Sequence, residues 1–254
     1  MYNLLKGKRG IIFGALDENS IAWKTAERVH AEGGKFVLTN APVAMRMGQI
    51  KQLAEKTGSE IIPADATSMD DLQNLVTKAM EILGGKLDFV LHSIGMSVNV
   101  RKNIPYTDSN YDYTEKGWDV SALSFHKVCN VLYRNDAMNE WGSIVALTYM
   151  AAQRTFPDYN DMADNKAYLE SVARSFGYFF ESSLFALEKT EFLSVKLFFI
   201  LCDGFAGIFS DTCQSRHSQL KSAFVLASLL VGKHTDGIGI SFKIDEICPL
   251  FLGH

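Results

Sequence analysis

Cysteine, positive charge and long hydrophobic runs are all scarce in this sequence. The formal net charge of −4 argues against a surface for nucleic acid or for an anionic membrane. The four cysteines have neither the paired spacing of a metal site nor the pattern of a secreted disulfide framework, so we expect no bound metal and a reduced, cytoplasmic location. These cysteines are Cys129, Cys202, Cys213 and Cys248.

The most apolar stretch, "EFLSVKLFFILCDGFAGIF", contains an uncharged part that is too short to cross a bilayer. Lys196 interrupts it, and the uncharged part covers only residues 197–202. At the start of the chain, "MYNLLKGKRG" leads directly into a predicted strand and contains no hydrophobic region of a signal peptide. We therefore expect no membrane partner, and we interpret the apolar stretch as a buried strand.

Strand-length apolar runs alternate with longer amphipathic segments. Strand patterns cover residues 9–14, 35–40, 60–65, 87–95 and 142–149, and helical patterns lie between them, including residues 20–34, 69–85 and 114–138. This alternation predicts an α/β fold with a parallel sheet and helices on both faces. The 254 residues contain no linker, repeat or low-complexity tract, so we expect one domain over residues 1–254.

The segment after the first strand, "GALDENSIAWK", has features of a phosphate-binding turn. Gly14 allows a tight exit from the strand, Ser20 is a typical helix N-cap, and Ile21 and Ala22 are compatible with a closely approaching ligand. A helix N-terminus offers free N–H groups to a pyrophosphate. The motif G-x-G-x-x-G is absent, however, so an ordinary turn with a serine cap remains an equal alternative.

Two further strand ends carry polar residues. Asp65 follows the predicted third strand, where its carboxylate could accept from an adenine amino group or could cap the next helix. After the fourth strand, "HSIG" places small residues where a ribose would lie over the sheet. We interpret His92 itself as a buried, hydrogen-bonded histidine.

The stretch "LTYMAAQRTFPDYNDMADNK" contains two tyrosines and a lysine beyond the fifth strand. Tyr149 ends that strand, while Tyr159 and Lys166 lie on the following loop and helix, about two helical turns apart. An ammonium near a phenol favours the phenolate and eases proton transfer at neutral pH. Each residue taken alone is compatible with packing or solvated surface, but all three are predicted at one edge of the sheet.

These segments resemble the enoyl-acyl-carrier-protein reductases of bacterial type II fatty-acid synthesis, a divergent branch of the short-chain dehydrogenase/reductases. The similarity covers about residues 4–180 and is greatest to Bacteroides-like forms, through "NLLKGKRGIIFGAL", "IPADATS", "LDFVLHSIGMS" and "AAQRTF…YNDMADNKAYLESVARSFGY". The Tyr-x6-Lys spacing, with an extra upstream tyrosine, distinguishes this branch from the usual Tyr-x3-Lys. The resemblance implies a Rossmann-like, doubly wound parallel sheet.

The resemblance also implies roles for individual residues. Tyr149 and Tyr159 fall at the two active-site tyrosines, Lys166 serves both catalysis and cofactor binding, and Ser97 falls at a substrate-contact position. The remaining implied dinucleotide-binding residues are Gly14, Ser20, Ile21, Asp65, Ala66 and Ile94.

The implied reaction is hydride transfer from NADH to the β-carbon of a trans-2-enoyl thioester on acyl carrier protein, with Tyr159 stabilising the enolate. Ala41 stands where the family commonly has a glutamine, and Arg46 is near enough to suggest tolerance of a 2′-phosphate, so NADPH is not excluded. The resemblance further implies a homotetramer paired through helices 114–138 and 160–180. Their apolar residues Leu123, Val128, Val172 and Phe176 exceed what one sheet face requires.

The composition changes after about Phe180. Nine of the 17 phenylalanines follow that residue, and no proline occurs between Pro157 and Pro249. The family's small-residue–Pro–x–x–Thr loop after the sixth strand has no counterpart, and Glu246 and Ile247 replace a closing Gly-Gly. Residues 181–254 are therefore either a diverged lid or the product of out-of-frame translation from about Glu181, and we favour the second.

Two other functions compete with the reductase. The first is a nucleotide-binding scaffold or sensor that retains the phosphate-binding turn but has lost its substrate lid. The second is an ordinary short-chain carbonyl reductase, which would reduce ketones and leave enoyl thioesters unchanged.

Overall fold

A computed structural model of the chain describes residues 2–47, 49–182, 196–201 and 241–242. The side chains of Met47 and of residues after Phe180 are not part of this description. The expectations for the loop after the sixth strand, for Glu246 and Ile247, and for most of the divergent C-terminal region lie outside the described residues.

The described strands form one parallel sheet with the order β2-β1-β3-β4-β5-β6. The predicted α/β fold and four of its five strand patterns are confirmed, and β5 overlaps the apolar stretch interpreted as a buried strand. The strands are β1 (Arg9–Phe13), β2 (Lys35–Thr39), β3 (Leu87–His92), β4 (Met138–Thr148), β5 (Lys196–Leu201) and β6 (Ser241–Phe242).

The strand predicted over residues 60–65 is reduced to an extended segment beside β2. Leu38 donates to the carbonyl of Glu60 and accepts from the N–H of Ile62, and these two bonds form one isolated parallel bridge between Leu38 and Ile61. Ala64 also donates to the carbonyl of Asn40 at 3.2 Å, so alternate residues of this segment face β2, whereas Pro63, which has no N–H, faces away from it and is compatible only with the edge of a sheet. The prediction of a full third strand was therefore wrong.

Helices lie on both faces of the sheet, as predicted, and no helix within the described ranges is long and apolar enough to span a membrane. The helix predicted over residues 114–138 begins and ends earlier: α6 continues through a π-helical turn (Asp119–Leu123) into α7, and Met138 already belongs to β4. The chain leaves α7 at Asn135 and takes a positive φ at Asp136, which ends the helix. The helices are α1 (Ile21–Ala31), α2 (Pro42–Met47), α3 (Ile50–Thr57), α4 (Met69–Leu83), α5 (Val98–Arg101), α6 (Tyr111–Trp118), α7 (Ser124–Arg134) and α8 (Asn160–Ser182).

The core has two layers, one on each face of the sheet. In β1, Ile11 and Phe13 pack with α4, α7 and α8, whereas Ile12 packs with α1 and α3, as the two-residue side-chain period of a strand requires. Val128 and Phe176 belong to the first layer and are buried within the chain. Val172 is also buried, so these three residues do not form the surplus apolar surface that we expected, whereas the fourth, Leu123, is half-buried in the π-helical turn.

Candidate active site

Gly14 lies at the carboxyl edge of the sheet, directly after β1. Its φ is +85°, and a Cβ built on it would lie only 1.9 Å from the carbonyl oxygen of Ser93, which follows β3. Both the backbone conformation and the close approach of the two strand ends therefore require glycine here. The tight exit predicted from the sequence is confirmed.

Ser20 is the N-cap of α1, as predicted. Its Oγ accepts from the backbone N–H of Trp23 at 3.3 Å and donates to the carbonyl of Asp17 at 2.8 Å. The first turn of α1 contains no acidic residue, so no side chain of that turn neutralises the positive end of the helix dipole. Ile21, the first helical residue, is half-buried at this helix end.

Asp65 does not cap the next helix. Ser68 is the N-cap of α4, with its Oγ accepting from the N–H of Asp71 at 3.2 Å. The Oδ1 atom of Asp65 accepts from both the N–H and the hydroxyl of Thr67, at 2.9 and 2.8 Å, which forms a local turn around the buried Ala66. Of the two alternatives for Asp65, the capping one was wrong, and the adenine contact stays a prediction.

His92 ends β3 and is completely buried. Its Nε2 lies 2.9 Å from the Oγ of Ser124, and its ring contacts Phe13 and Phe125. Burial, followed by the positive charge of Lys166, lowers the pKa of His92 to about 3, so the ring is neutral at neutral pH. The predicted buried histidine is confirmed, although its Nδ1 has no hydrogen-bond partner among the described residues.

The loop after β3 is held by buried hydroxyl groups. Ser121, in the π-helical turn, accepts from the N–H of Met96 at 2.7 Å and donates to its carbonyl at 2.8 Å. Ser97 caps α5 and donates to Oδ1 of Asp161, and only 3% of its surface is exposed. The hydroxyl of Ser97 is thus already used inside the chain, and its role as a substrate contact stays a prediction.

Tyr149 and Tyr159 are stacked on each other. Their ring centroids are 4.3 Å apart with an interplanar angle of 27°, and the ring centroid of Phe156 lies 5.4 Å from that of Tyr149. Tyr149 is buried, whereas Tyr159 is half-buried in a short 3₁₀ turn before α8. The structure therefore brings together the two phenols that the sequence separates by ten positions.

Lys166 is buried on α8, and its Nζ bonds the ends of two strands. The ammonium donates to the carbonyl of Leu147 at 2.8 Å, near the end of β4, and to the carbonyl of Ile94 at 3.3 Å, after β3. These bonds place a positive charge at the carboxyl edge of the sheet, two residues from Tyr149. Lys166 is therefore not the solvated surface residue of the alternative interpretation.

Several buried polar residues near the tyrosines were not identified from the sequence. Asn160, directly after Tyr159, bonds the distant Ile104 and Ser109, and Glu170 accepts from the hydroxyl of Thr148 at 2.8 Å. Asn160 is only 3% exposed. The polar run "YNDMADN" was the available signal, since four polar residues in the first turns of a helix that packs on a sheet are unusual.

Sheet order and helix layers place the chain in the Rossmann-like class of short-chain dehydrogenase/reductase folds. The family model of enoyl-(acyl carrier protein) reductase matches residues 14–183, more than half of the chain. The chain therefore belongs to that family.

Named relatives agree with this assignment. NADH enoyl-acyl-carrier-protein reductases 1 and 2 of Rhizobium meliloti are 35% and 33% identical over 173 and 175 residues, which cover 67% and 68% of this chain. The chain spans 62% and 64% of the length of these two relatives.

Solved structures extend the similarity. FabI from Alistipes finegoldii is 48% identical with a TM-score of 0.80, over 92% of this chain and 88% of that one. The FabI–NADH complex from the same organism is 47% identical with a TM-score of 0.80, over 92% and 86% of the two chains.

Proposed function

We propose that this protein is an NADH-dependent enoyl-acyl-carrier-protein reductase that acts on trans-2-enoyl thioesters. The observation that supports this best is the stacked pair Tyr149 and Tyr159, next to a strand end whose carbonyl binds the buried ammonium of Lys166. Family membership and the FabI–NADH relative support the same activity.

In this proposal the residues of the chain stabilise a developing negative charge. When bound, NADH supplies a hydride for the β-carbon of the enoyl thioester. The hydroxyl of Tyr159 donates a hydrogen bond to the thioester oxygen as that oxygen becomes an enolate, which is the type of interaction that usually contributes most to catalysis. Tyr149 shapes the pocket through its stack with Tyr159, Ser97 is proposed to contact the substrate, and protonation of the α-carbon completes the reduction.

The residues at the carboxyl edge fit a dinucleotide. At Gly14 the backbone approaches Ser93 so closely that any side chain is excluded. The N-terminus of α1 offers N–H groups to a phosphate, and its first turn contains no acidic residue that would repel one. Lys166 supplies a fixed positive charge, which we propose to bind the ribose and thereby align the hydride donor. The proposed dinucleotide-binding residues are Gly14, Ser20, Ile21, Asp65, Ala66, Ile94 and Lys166.

We propose NADH as the preferred cofactor, with NADPH as a weaker alternative. After β2 the chain continues through Asn40 and Ala41 into α2, where the exposed Arg46 could accept a 2′-phosphate. Arg46→Ala should therefore reduce any NADPH binding and leave NADH binding unchanged, as measured by titration calorimetry. Equal loss for both cofactors would contradict this assignment.

Oxidation of NADH with crotonyl thioester tests the proposed activity directly. For a chain with an in-frame C-terminal region, we expect turnover with the thioester and none with simple ketones of similar size. Turnover of ketones alone would indicate an ordinary carbonyl reductase, and stoichiometric NADH binding without turnover of either would indicate a scaffold or sensor.

Resequencing the coding DNA across codons 175–185, in all three frames, distinguishes a diverged lid from an out-of-frame C-terminal region.

We also propose a single-domain cytoplasmic protein that assembles as a homotetramer and receives its substrate from acyl carrier protein. Exposed aromatic residues support assembly through α7 and α8: Tyr133 is 40%, Tyr178 66% and Phe179 53% exposed. Light scattering at micromolar concentration should give a tetrameric mass, and Phe179→Asp should reduce it. Tyr111→Asp, on α6, is the matched control and should not. A monomeric mass of the parent chain would contradict the tetramer.

A further inference from the structure

Asn160 combines an unusual backbone conformation with a buried side chain that makes three hydrogen bonds. Its φ of 37° and ψ of −140° lie in a region that favours glycine, yet the residue is an asparagine. Conformations of this kind persist only where surrounding contacts hold them, and they cluster at functional sites. The position is directly between Tyr159 and the first turn of α8.

The contacts that hold Asn160 come from a loop more than fifty residues away. Its Nδ2 donates to the carbonyl of Ile104 at 2.6 Å, and its Oδ1 accepts from the hydroxyl of Ser109 at 2.8 Å. The same Oδ1 accepts from the N–H of Asp161 at 2.6 Å. Three hydrogen bonds therefore connect this one buried side chain to the α5–α6 loop and to the start of α8.

We propose that Asn160 is a positioning residue that fixes the ring of Tyr159 through this connection, an inference that rests on the proposed role of Tyr159 in the reductase reaction. The positive φ turns the chain sharply between the 3₁₀ turn that carries Tyr159 and the helix that carries Lys166. Because the side chain of Asn160 locks that turn to residues 104–109, the phenol of Tyr159 keeps its stack on Tyr149. Asn160 itself takes no part in the chemistry.

The stack gives a readout that does not depend on turnover. In the full chain labelled with 13C-tyrosine, the ring signals of Tyr149 and Tyr159 are assigned with Tyr149→Phe and Tyr159→Phe. We expect Asn160→Ala to shift both signals, because loss of the stack removes their mutual ring-current effect. Asn103→Ala is the matched control: Asn103 also has a positive φ, of 52°, but it lies within the loop, and among the described side chains it makes no bond to α8. It should leave both signals in place.

Asn160→Gly separates the side chain from the backbone. Glycine accepts the native φ and ψ without strain but lacks all three hydrogen bonds, so it guards against a variant that fails simply because it does not fold. We expect Asn160→Gly to lower kcat roughly 10- to 100-fold, as a misplaced catalytic group does, with the Kd for NADH unchanged. Retained ring signals and retained kcat in Asn160→Gly would overturn the proposal.

The proposed function and this inference can fail separately. If the parent chain does not oxidise NADH with any enoyl thioester, the proposed function fails, and the tyrosine signals alone decide whether Asn160 positions Tyr159. If the parent turns over and Asn160→Gly raises the Kd for NADH as much as it lowers kcat, Asn160 has a general structural role and the positioning proposal is wrong.

Discussion

The β1 end and the β4 end of the candidate site are held in place by different means. Around Gly14 and Ser20 the shape depends on the backbone: a positive φ, a close approach of two strands and a helix cap. Around Tyr159 and Lys166 it depends on buried side chains that bond to distant strand ends and loops. Changes at the first end should therefore alter stability and cofactor affinity, and changes at the second should alter the orientation of reacting groups.

The largest expected effect is at Tyr159. In a chain with an intact C-terminal lid, Tyr159→Phe removes the proposed donor to the enolate but keeps the ring that stacks on Tyr149. We expect kcat to fall by the equivalent of roughly 3–4 kcal/mol, with little change in the Kd for NADH. Steady-state oxidation of NADH with crotonyl thioester measures the change in kcat. Tyr149→Phe is the control and should have a weaker effect, and an unchanged kcat in Tyr159→Phe would show that the β4 end does not carry the chemistry.

Gly14→Ala tests the β1 end. The added Cβ would meet the Ser93 carbonyl at 1.9 Å, so the ends of β1 and β3 must separate. We expect a loss of about 3 kcal/mol in the free energy of unfolding, measured by urea denaturation. Gly58→Ala has a similar positive φ, of +64°, but no atom within 4 Å, and should cost only about 1–2 kcal/mol. Equal losses would mean that backbone conformation alone, and not the close approach, requires glycine.

Lys166→Met should lower both the stability of the fold and the affinity for NADH. Methionine keeps an apolar stem but leaves the carbonyls of Leu147 and Ile94 without their charged donor, which should cost about 1.5–3 kcal/mol in stability. We expect the apparent KM for NADH to rise and kcat to fall as alignment is lost. Calorimetric titration with NADH provides the check, and unchanged affinity would remove Lys166 from the proposed cofactor site.

The lowered pKa of His92 should make the free energy of unfolding depend on pH, independently of catalysis. Because its pKa is about 3 in the folded chain and near 6.5 when unfolded, the unfolded state binds the proton first as the pH falls. This contribution to stability is present above pH 6.5 and is lost progressively towards pH 3. Between pH 7 and pH 5 the loss should be about 2 kcal/mol. Urea denaturation should show this difference between the parent and His92→Gln, and parallel pH profiles would contradict it.

The smallest expected effect is at the cap of α1. Ser20→Ala removes the acceptor for the N–H of Trp23 and should cost about 1 kcal/mol in unfolding free energy. Ser68→Ala removes the corresponding cap of α4 and should cost about the same. Only the Ser20 variant should also weaken NADH binding. Equal NADH affinity in the two variants would show that Ser20 is a structural cap and nothing more.

The same contrast explains what could be predicted from the sequence. The exit at Gly14 and the cap at Ser20 follow from residue types and near neighbours, so both were predicted. The strand over residues 60–65 was overpredicted because its apolar pattern outweighed Pro63 at a sheet edge. Burial of Ser97 could not be predicted, because its partner Asp161 lies 64 positions away and only the fold brings the two together.

The prediction of surplus apolar surface from Val128, Val172 and Phe176 was wrong for a related reason. Val128, Val172 and Phe176 looked excessive for one sheet face, but α4, α7 and α8 share a single layer and bury them against one another. Helical periodicity gives the apolar side of a helix and not the number of neighbours that cover it. The exposed aromatic residues of α8 are instead Tyr178 and Phe179, near its end.

The two core layers also differ in how late in synthesis each can close. Among the described residues, the layer with α1 and α3 draws on residues between Leu5 and Leu147, whereas the layer with α4, α7 and α8 extends to Phe180. Because a chain emerges from its N-terminus, a nascent chain that ends between these two points has one face covered and the other still apolar. We therefore expect a nascent chain of intermediate length to expose one apolar face of the sheet until α8 has emerged.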